Sequence, residues 1–195
     1  MQENPVAVDG ASRTREQHFE AVYAEHHAHV FGYVMRRCDR PDDAADAIAE
    51  TFLVAWRRLE DAPAGDNLRL WLYGVARRVL ANQRRGERRR VALAERLRSE
   101  FAEHPAAFQD PSVGDRDSLR DAFLGLSPDD RELLALEAWE GLSSEQIASV
   151  LACSTGAART RLHRARRRMQ KALSTQSESR IAHDPERPEA IGGGL

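Results

Sequence analysis

The 195-residue chain contains no apolar run of eighteen residues, which removes a transmembrane helix. Its two cysteines, Cys38 and Cys153, lie far apart and match neither metal nor disulfide spacing. A reduced cytoplasm is the expected setting. The opening MQENPVAVDGASRTR lacks the basic start and apolar centre of a secretory leader. No segment alternates apolar and polar residues as a half-buried strand does. There is no glycine loop built to cradle phosphate, which fits a function without nucleotide hydrolysis. Lysine is almost missing, Lys171 being the only one, so arginine carries nearly all the positive charge. Acid is missing where it would matter most. Between Ser154 and Lys171 there are seven Lys or Arg residues and no Asp or Glu, in a chain of net charge −2.

What is present is helical. Apolar residues make up 42 % of the chain and charged residues 31 %, enough for a core and for solubility. Residues 16–37 place Phe19, Val22, Tyr23, His26, Val30, Phe31, Val34 and Met35 at helical spacing. Pro41 punctuates, and Asp42 is the expected cap of a second helix reaching about Leu59. The expected apolar stripe of that helix is Ala45, Ile48, Phe52, Ala55, Trp56 and Leu59, with Asp43, Asp46 and Glu50 on another flank. DAPAGDN breaks it, and a third helix starts near Leu68, burying Trp71, Leu72, Val75, Ala76 and Val79. The expected fold is all-α, two small helical domains joined by a flexible linker. The expected boundaries are a disordered 1–15, a first domain over 16–90, a linker over 91–115, a second domain over 116–173 and a disordered 174–195.

The second domain is the more explicit. Ser127-Pro128-Asp129-Asp130 combines a capping hydroxyl, a first-turn proline and acids beside the positive helix end, and Gly141 stops that helix. Ser143 and Gln146 form a capping box for the next helix, and Ser154 caps the last one after a turn at Ala152-Cys153. The last helix buries Ala158, Leu162, Ala165 and Met169, spaced four, three and four. This is a helix-turn-helix whose second helix enters a major groove. Arg159, Thr160, Arg161, His163 and Arg164 are then left outward near its amino end. Arginine pairs with phosphate and forks onto guanine, and counterion release explains the exclusion of acids.

Three stretches together, DAADAIAETFLVAWRRL at 43–59, WLYGVARRVLANQRR at 71–85 and the helix-turn-helix, resemble the extracytoplasmic-function sigma factors of the sigma-70 family. The resemblance covers most of residues 17–173. It implies a sigma-two and a sigma-four domain, binding to core RNA polymerase, and recognition of −10 and −35 promoter elements. Contacts to polymerase would come from Asp46, Glu50, Phe52, Trp56 and Arg57. The −10 element would be held by Asn67, Arg69, Arg77, Arg78, Asn82 and Arg85, beside a specificity loop at Gly65–Arg69. The −35 element would meet Ser154, Thr155, Arg159, Thr160, Arg161, His163, Arg164 and Arg167. The resemblance also implies promoter melting by base extrusion, an anti-sigma partner, no cofactor and no small-molecule substrate. The chain departs from the family at Arg78, where many members have Asn, and at Ala158, where many have Val.

Other constellations carry less. Of His26, His27 and His29 only the first and third share a helical face, and no further ligand joins them. Trp71 and Tyr73 could stack bases, although core packing is the expected use of Trp71. A conventional dimeric helix-turn-helix regulator is the alternative function. A metal-dependent nuclease would need a ligand set that the sequence does not offer.

Overall fold

A computed structural model describes the backbone over residues 5–99 and 115–182, with side chains over 14–90 and 119–175. Seven α-helices run along it: α1 (Pro5–Met35), α2 (Pro41–Arg57), α3 (Asp66–Ser99), α4 (Asp115–Leu124), α5 (Pro128–Ala138), α6 (Ser144–Leu151) and α7 (Thr155–Ala182). A 3-10 turn at Leu59–Asp61 follows α2. No strand occurs among the described residues. The helices group into two compact units, one built on α1 to α3, the other on α4, α5 and α7, with residues of α6 in each.

Several bounds differ from those read in the sequence. Helix α1 starts at Pro5, not 16, with a proline whose missing N–H costs nothing in a first turn. Helix α2 starts at Pro41, so Asp42 and Asp43 lie inside its first turn; Arg40 holds the cap position and makes no side-chain capping bond. The acids still oppose the positive end of the helix. Helix α3 starts at Asp66 after Gly65, whose φ of 63° is readily adopted only without a β-carbon. The positions expected to form a loop at Asp66–Arg69 are therefore its first turn, with Leu68 N–H donating to Gly65 C=O at 2.9 Å. Helix α3 continues to Ser99, into the stretch expected to be linker, and α7 continues to Ala182. Residues 100–114 and 183–195 of the expected linker and tail lie outside the described residues, as do 1–4 at the amino end.

The first unit packs α1 against both α2 and α3. Its centre is Val30, Tyr33 and Val34 of α1, Ala44, Ala47, Thr51 and Ala55 of α2, and Leu72, Val75 and Ala76 of α3. The first half of the stripe on α2 thus runs one position earlier than the apolar pattern suggested, with Ala45 exposed and Ile48 only half-buried, while Phe52, Ala55 and Leu59 are buried as expected. Alanines at 44, 47 and 55 leave room for two neighbouring helices, and close approach outweighs the larger side chain of Ile48. Thr51 fits the same seam because its hydroxyl donates to Ala47 C=O at 2.6 Å. Across the core Tyr33 stacks on Tyr73 with centroids 4.8 Å apart, and the Arg37 guanidinium lies 3.6 Å from the Tyr33 centroid.

His26 is buried in this unit, with Glu25 the carboxylate beside its Nε2. Burial pushes its pKa below the ordinary value, with His29 and Arg69 adding to the shift and Glu25 opposing it. The neutral imidazole is therefore the folded form, and protonation favours the unfolded chain once the pH falls below the free imidazole value of about 6.5. The melting temperature of the wild type is expected to fall more steeply from about pH 7.5 to about pH 5 than that of His26→Gln. Parallel slopes in thermal melts would remove His26 from the pH response.

Candidate nucleic-acid interface

The helix-turn-helix is built by local chemistry. Ser143 N–H donates to Gln146 Oε1 at 2.8 Å, and Gln146 N–H returns a bond to Ser143 Oγ at 3.3 Å. That reciprocal box fixes the start of α6. Ala152 ends it with a φ of 51°, a left-handed residue without the usual glycine. Ser154 Oγ then accepts from Ala157 N–H at 3.2 Å and starts α7. One helix earlier, Ser127 Oγ accepts from Asp130 N–H at 3.2 Å, Pro128 opens α5, and Gly141 with φ 66° closes it while Leu142 N–H reaches Leu136 C=O.

Ala158, Leu162 and Ala165 of α7 are buried, and Met169 is half-buried. With those positions facing α4 and α5, Thr160, Arg164, Arg167 and Lys171 share the opposite side, also spaced four, three and four. All four are exposed, as are Arg161 and His163. The slim Ala158 is fully enclosed, so the small side chain there leaves the seam closed.

The seven cations do not all face water freely. Arg168 Nη1 donates to both carboxylate oxygens of Asp130, at 2.7 and 2.9 Å, and Asp130 is buried, with a further bond from the Ser127 hydroxyl at 2.8 Å. Arg166 forks onto Glu137, its Nε 3.0 Å from Oε2. Arg159 pairs with Glu145 at the start of α6. No carboxylate pairs with Arg161, Arg164, Arg167 or Lys171 among the described residues. The run is thus sorted into arginines that brace α7 and cations with no internal partner. Sequence reading grouped all seven and missed the three acids, two of which come from α5 and one from α6.

On the first unit the named residues separate in a similar way. A groove of about 850 Å³ between α2 and α3 is lined by Asp46, Glu50, Leu53, Arg78, Asn82 and Gln83. It brings two residues assigned to polymerase and two assigned to the −10 element onto one surface. Asn82 accepts from Arg85, so that pair is oriented together. Asn67 is exposed in the first turn of α3, Arg69 and Arg77 are half-buried, and Arg57 is exposed. Phe52 is buried, ringed by Phe19, Tyr23 and His27, and offers a partner little surface. Trp56 is half-buried, edge-on to Phe19 and under the Arg15 guanidinium. Tyr73 is enclosed against Tyr33 and is unavailable to stack on a base, whereas Trp71 is half-buried. Among the described residues no group of His, Cys, Asp or Glu could hold a metal, and no helix is long and apolar enough to cross a membrane.

Residues 22–90 match the family described as Sigma-70 region 2, and residues 116–169 match Sigma-70, region 4. The ECF RNA polymerase sigma factor SigL of Mycobacterium tuberculosis is 31 % identical over 169 residues, covering 85 % of this chain and 94 % of that protein. The chain belongs to the extracytoplasmic-function sigma factors. RNA polymerase sigma factor CarQ of Myxococcus xanthus is 33 % identical, over 80 % of this chain and 88 % of its own. Among solved structures, the sigma factor RpoE in complex with the anti-sigma factor NepR from Bartonella quintana superposes with a TM-score of 0.60 at 25 % identity, covering 80 % of this chain and 96 % of that one. In this sigma factor region 2 spans the groove between α2 and α3, and region 4 spans α4 to α6 and α7 as far as Met169.

Asp130→Ala is expected to cost about 1–3 kcal/mol, because it removes a buried acceptor that holds both a helix cap and Arg168. Arg168→Ala is expected to cost less, its guanidinium being more than half exposed. Urea denaturation checks both, and equal costs would deny Asp130 its second role.

Proposed function

We propose that this sigma factor directs promoter-specific initiation by docking on core RNA polymerase with the acidic flank of α2, holding the −10 element along α3 and the −35 element on α7. The carrying observation is the outer side of α7 over residues 155–171: a cationic face with no Asp or Glu, set behind a capped helix-turn-helix, in a chain that also has region 2. Asp46, Glu50 and Arg57 face outward and suit a basic, helical partner surface. Trp56 borders them, and Phe52 supports the site from the core. Asn67, Arg69, Arg77, Arg78, Asn82 and Arg85 follow the −10 strand, where capturing an extruded base offsets the few kcal/mol of unstacking. Arg78 meets phosphate in place of base reading, since a guanidinium pairs readily with a backbone anion.

At the −35 element Arg164 and Arg167 neutralise phosphates, while Arg159, Thr160, Arg161 and His163 approach the base edges. Ser154 and Thr155 hold the start of the helix beside the backbone. The factor performs no catalysis of its own; nucleotide addition belongs to the polymerase, and a cytoplasmic location follows. The Bartonella quintana relative was solved with an anti-sigma factor, and a protein inhibitor of that kind is the proposed regulator here. The paired regions in one chain disfavour a dimeric operator-binding repressor, which needs only the helix-turn-helix.

Two variants test the division of labour in reconstituted transcription. Arg161→Ala is expected to lower initiation at a −35-dependent promoter by about tenfold while binding to core polymerase is retained. Glu50→Lys is expected to weaken core binding at least tenfold in a pull-down, with the helical circular dichroism unchanged. Full promoter activity in the first variant, or unchanged core affinity in the second, would contradict the assigned role.

A further inference from the structure

Resting on that reading of α7, we infer that Glu145 is a positioning residue that holds Arg159 away from DNA phosphates and so restrains non-specific binding by the free factor. The pair is exposed, with side chains 66 % and 57 % accessible, so packing has not forced it. Glu145 occupies the first turn of α6, and its carboxyl is held below the usual carboxylate range by its own backbone N–H, then by the Ser143 hydroxyl and Arg159. The carboxylate is open to water beside the amino end of α6, so it stays solvated when Arg159 leaves. Arg159 can exchange it for a DNA group without stranding a charge.

Position gives this exchange its direction. In a helix-turn-helix the first helix crosses the sugar-phosphate backbone. An acid at its leading turn opposes phosphates there and occupies the one cation on α7 nearest to it. The other braced arginines differ. Asp130 is buried beneath Arg168, and Glu137 grips Arg166 with both oxygens, so neither pair opens cheaply. Any duplex can offer phosphates, but only one whose base edge rewards Arg159 repays opening the Glu145 pair fully. Glu145 thereby converts an arginine that would add uniformly to affinity into one that adds to discrimination.

The test uses the full chain, without polymerase, and a fluorescein-labelled mixed-sequence duplex of about twenty base pairs, with anisotropy read across a potassium chloride series. Glu145→Gln is expected to bind about two- to fivefold more tightly, with a log–log salt slope steeper by about one. In the Arg159→Ala background the same change is expected to leave affinity within about 1.5-fold and the slope unmoved. An unchanged slope in Glu145→Gln overturns the inference, and so does an equal gain in the Arg159→Ala background, which would mark general charge repulsion. If Arg159→Ala leaves −35-dependent transcription intact, the reading of α7 itself fails; loss there with no effect of Glu145→Gln overturns the restraint alone.

Discussion

The seam formed by Ala158, Leu162 and Ala165 decides which way the terminal helix faces, and the cationic surface depends on that orientation. A helix with six arginines and a lysine over residues 155–171 could roll toward several faces if charge alone set its orientation. Three small or branched apolar side chains, all enclosed, fix one. The acids then act on the flanks: Asp130 on one side, Glu137 and Glu145 on the other, each taking the arginine that the seam turns toward it. What remains outward is a row of cations with no counter-charge among the described residues, and that row is available to phosphate.

Region 2 shows the complementary arrangement. There the alanine face of α2 draws α1 and α3 close, and the space left at the far side of α2 and α3 becomes a groove with Asp46 and Glu50 on one wall and Arg78 and Asn82 on the other. Opposite charges facing across an open groove do not form a pair in the free factor, so both walls keep their capacity for partners. The enclosed Tyr33–Tyr73 stack stiffens the same unit and removes Tyr73 from any role in base stacking. Surface chemistry and core packing are thus allotted to different faces of the same helices.

Much of this was legible in the sequence because it rests on neighbours three or four residues apart. The Ser143–Gln146 box, the Ser154 and Ser127 caps and the Gly141 stop all stand as read, as does the inward set on α7. In the first half of α2 the buried face lies one position earlier than the apolar pattern, because apolar size points to Ile48, while the alanines that admit neighbouring helices carry almost no hydrophobic signal; Phe52, Ala55 and Leu59 stand as expected. The braces on α7 join residues 14, 29 and 38 apart, separations set by the folded bundle and by no helical period. Tyr33 and Tyr73 meet across the core for the same reason. Pro63 and Gly65 signal a break that extends the expected loop past Asp66, yet the helix begins directly after the glycine.

The most direct measurement is a footprint of core RNA polymerase on a promoter selected from a random library, with and without this chain. Two protected blocks about two helical turns apart, present only when chain and core enzyme are combined, are the result this account predicts. A single symmetric footprint from the free chain, unchanged by adding core enzyme, would contradict it.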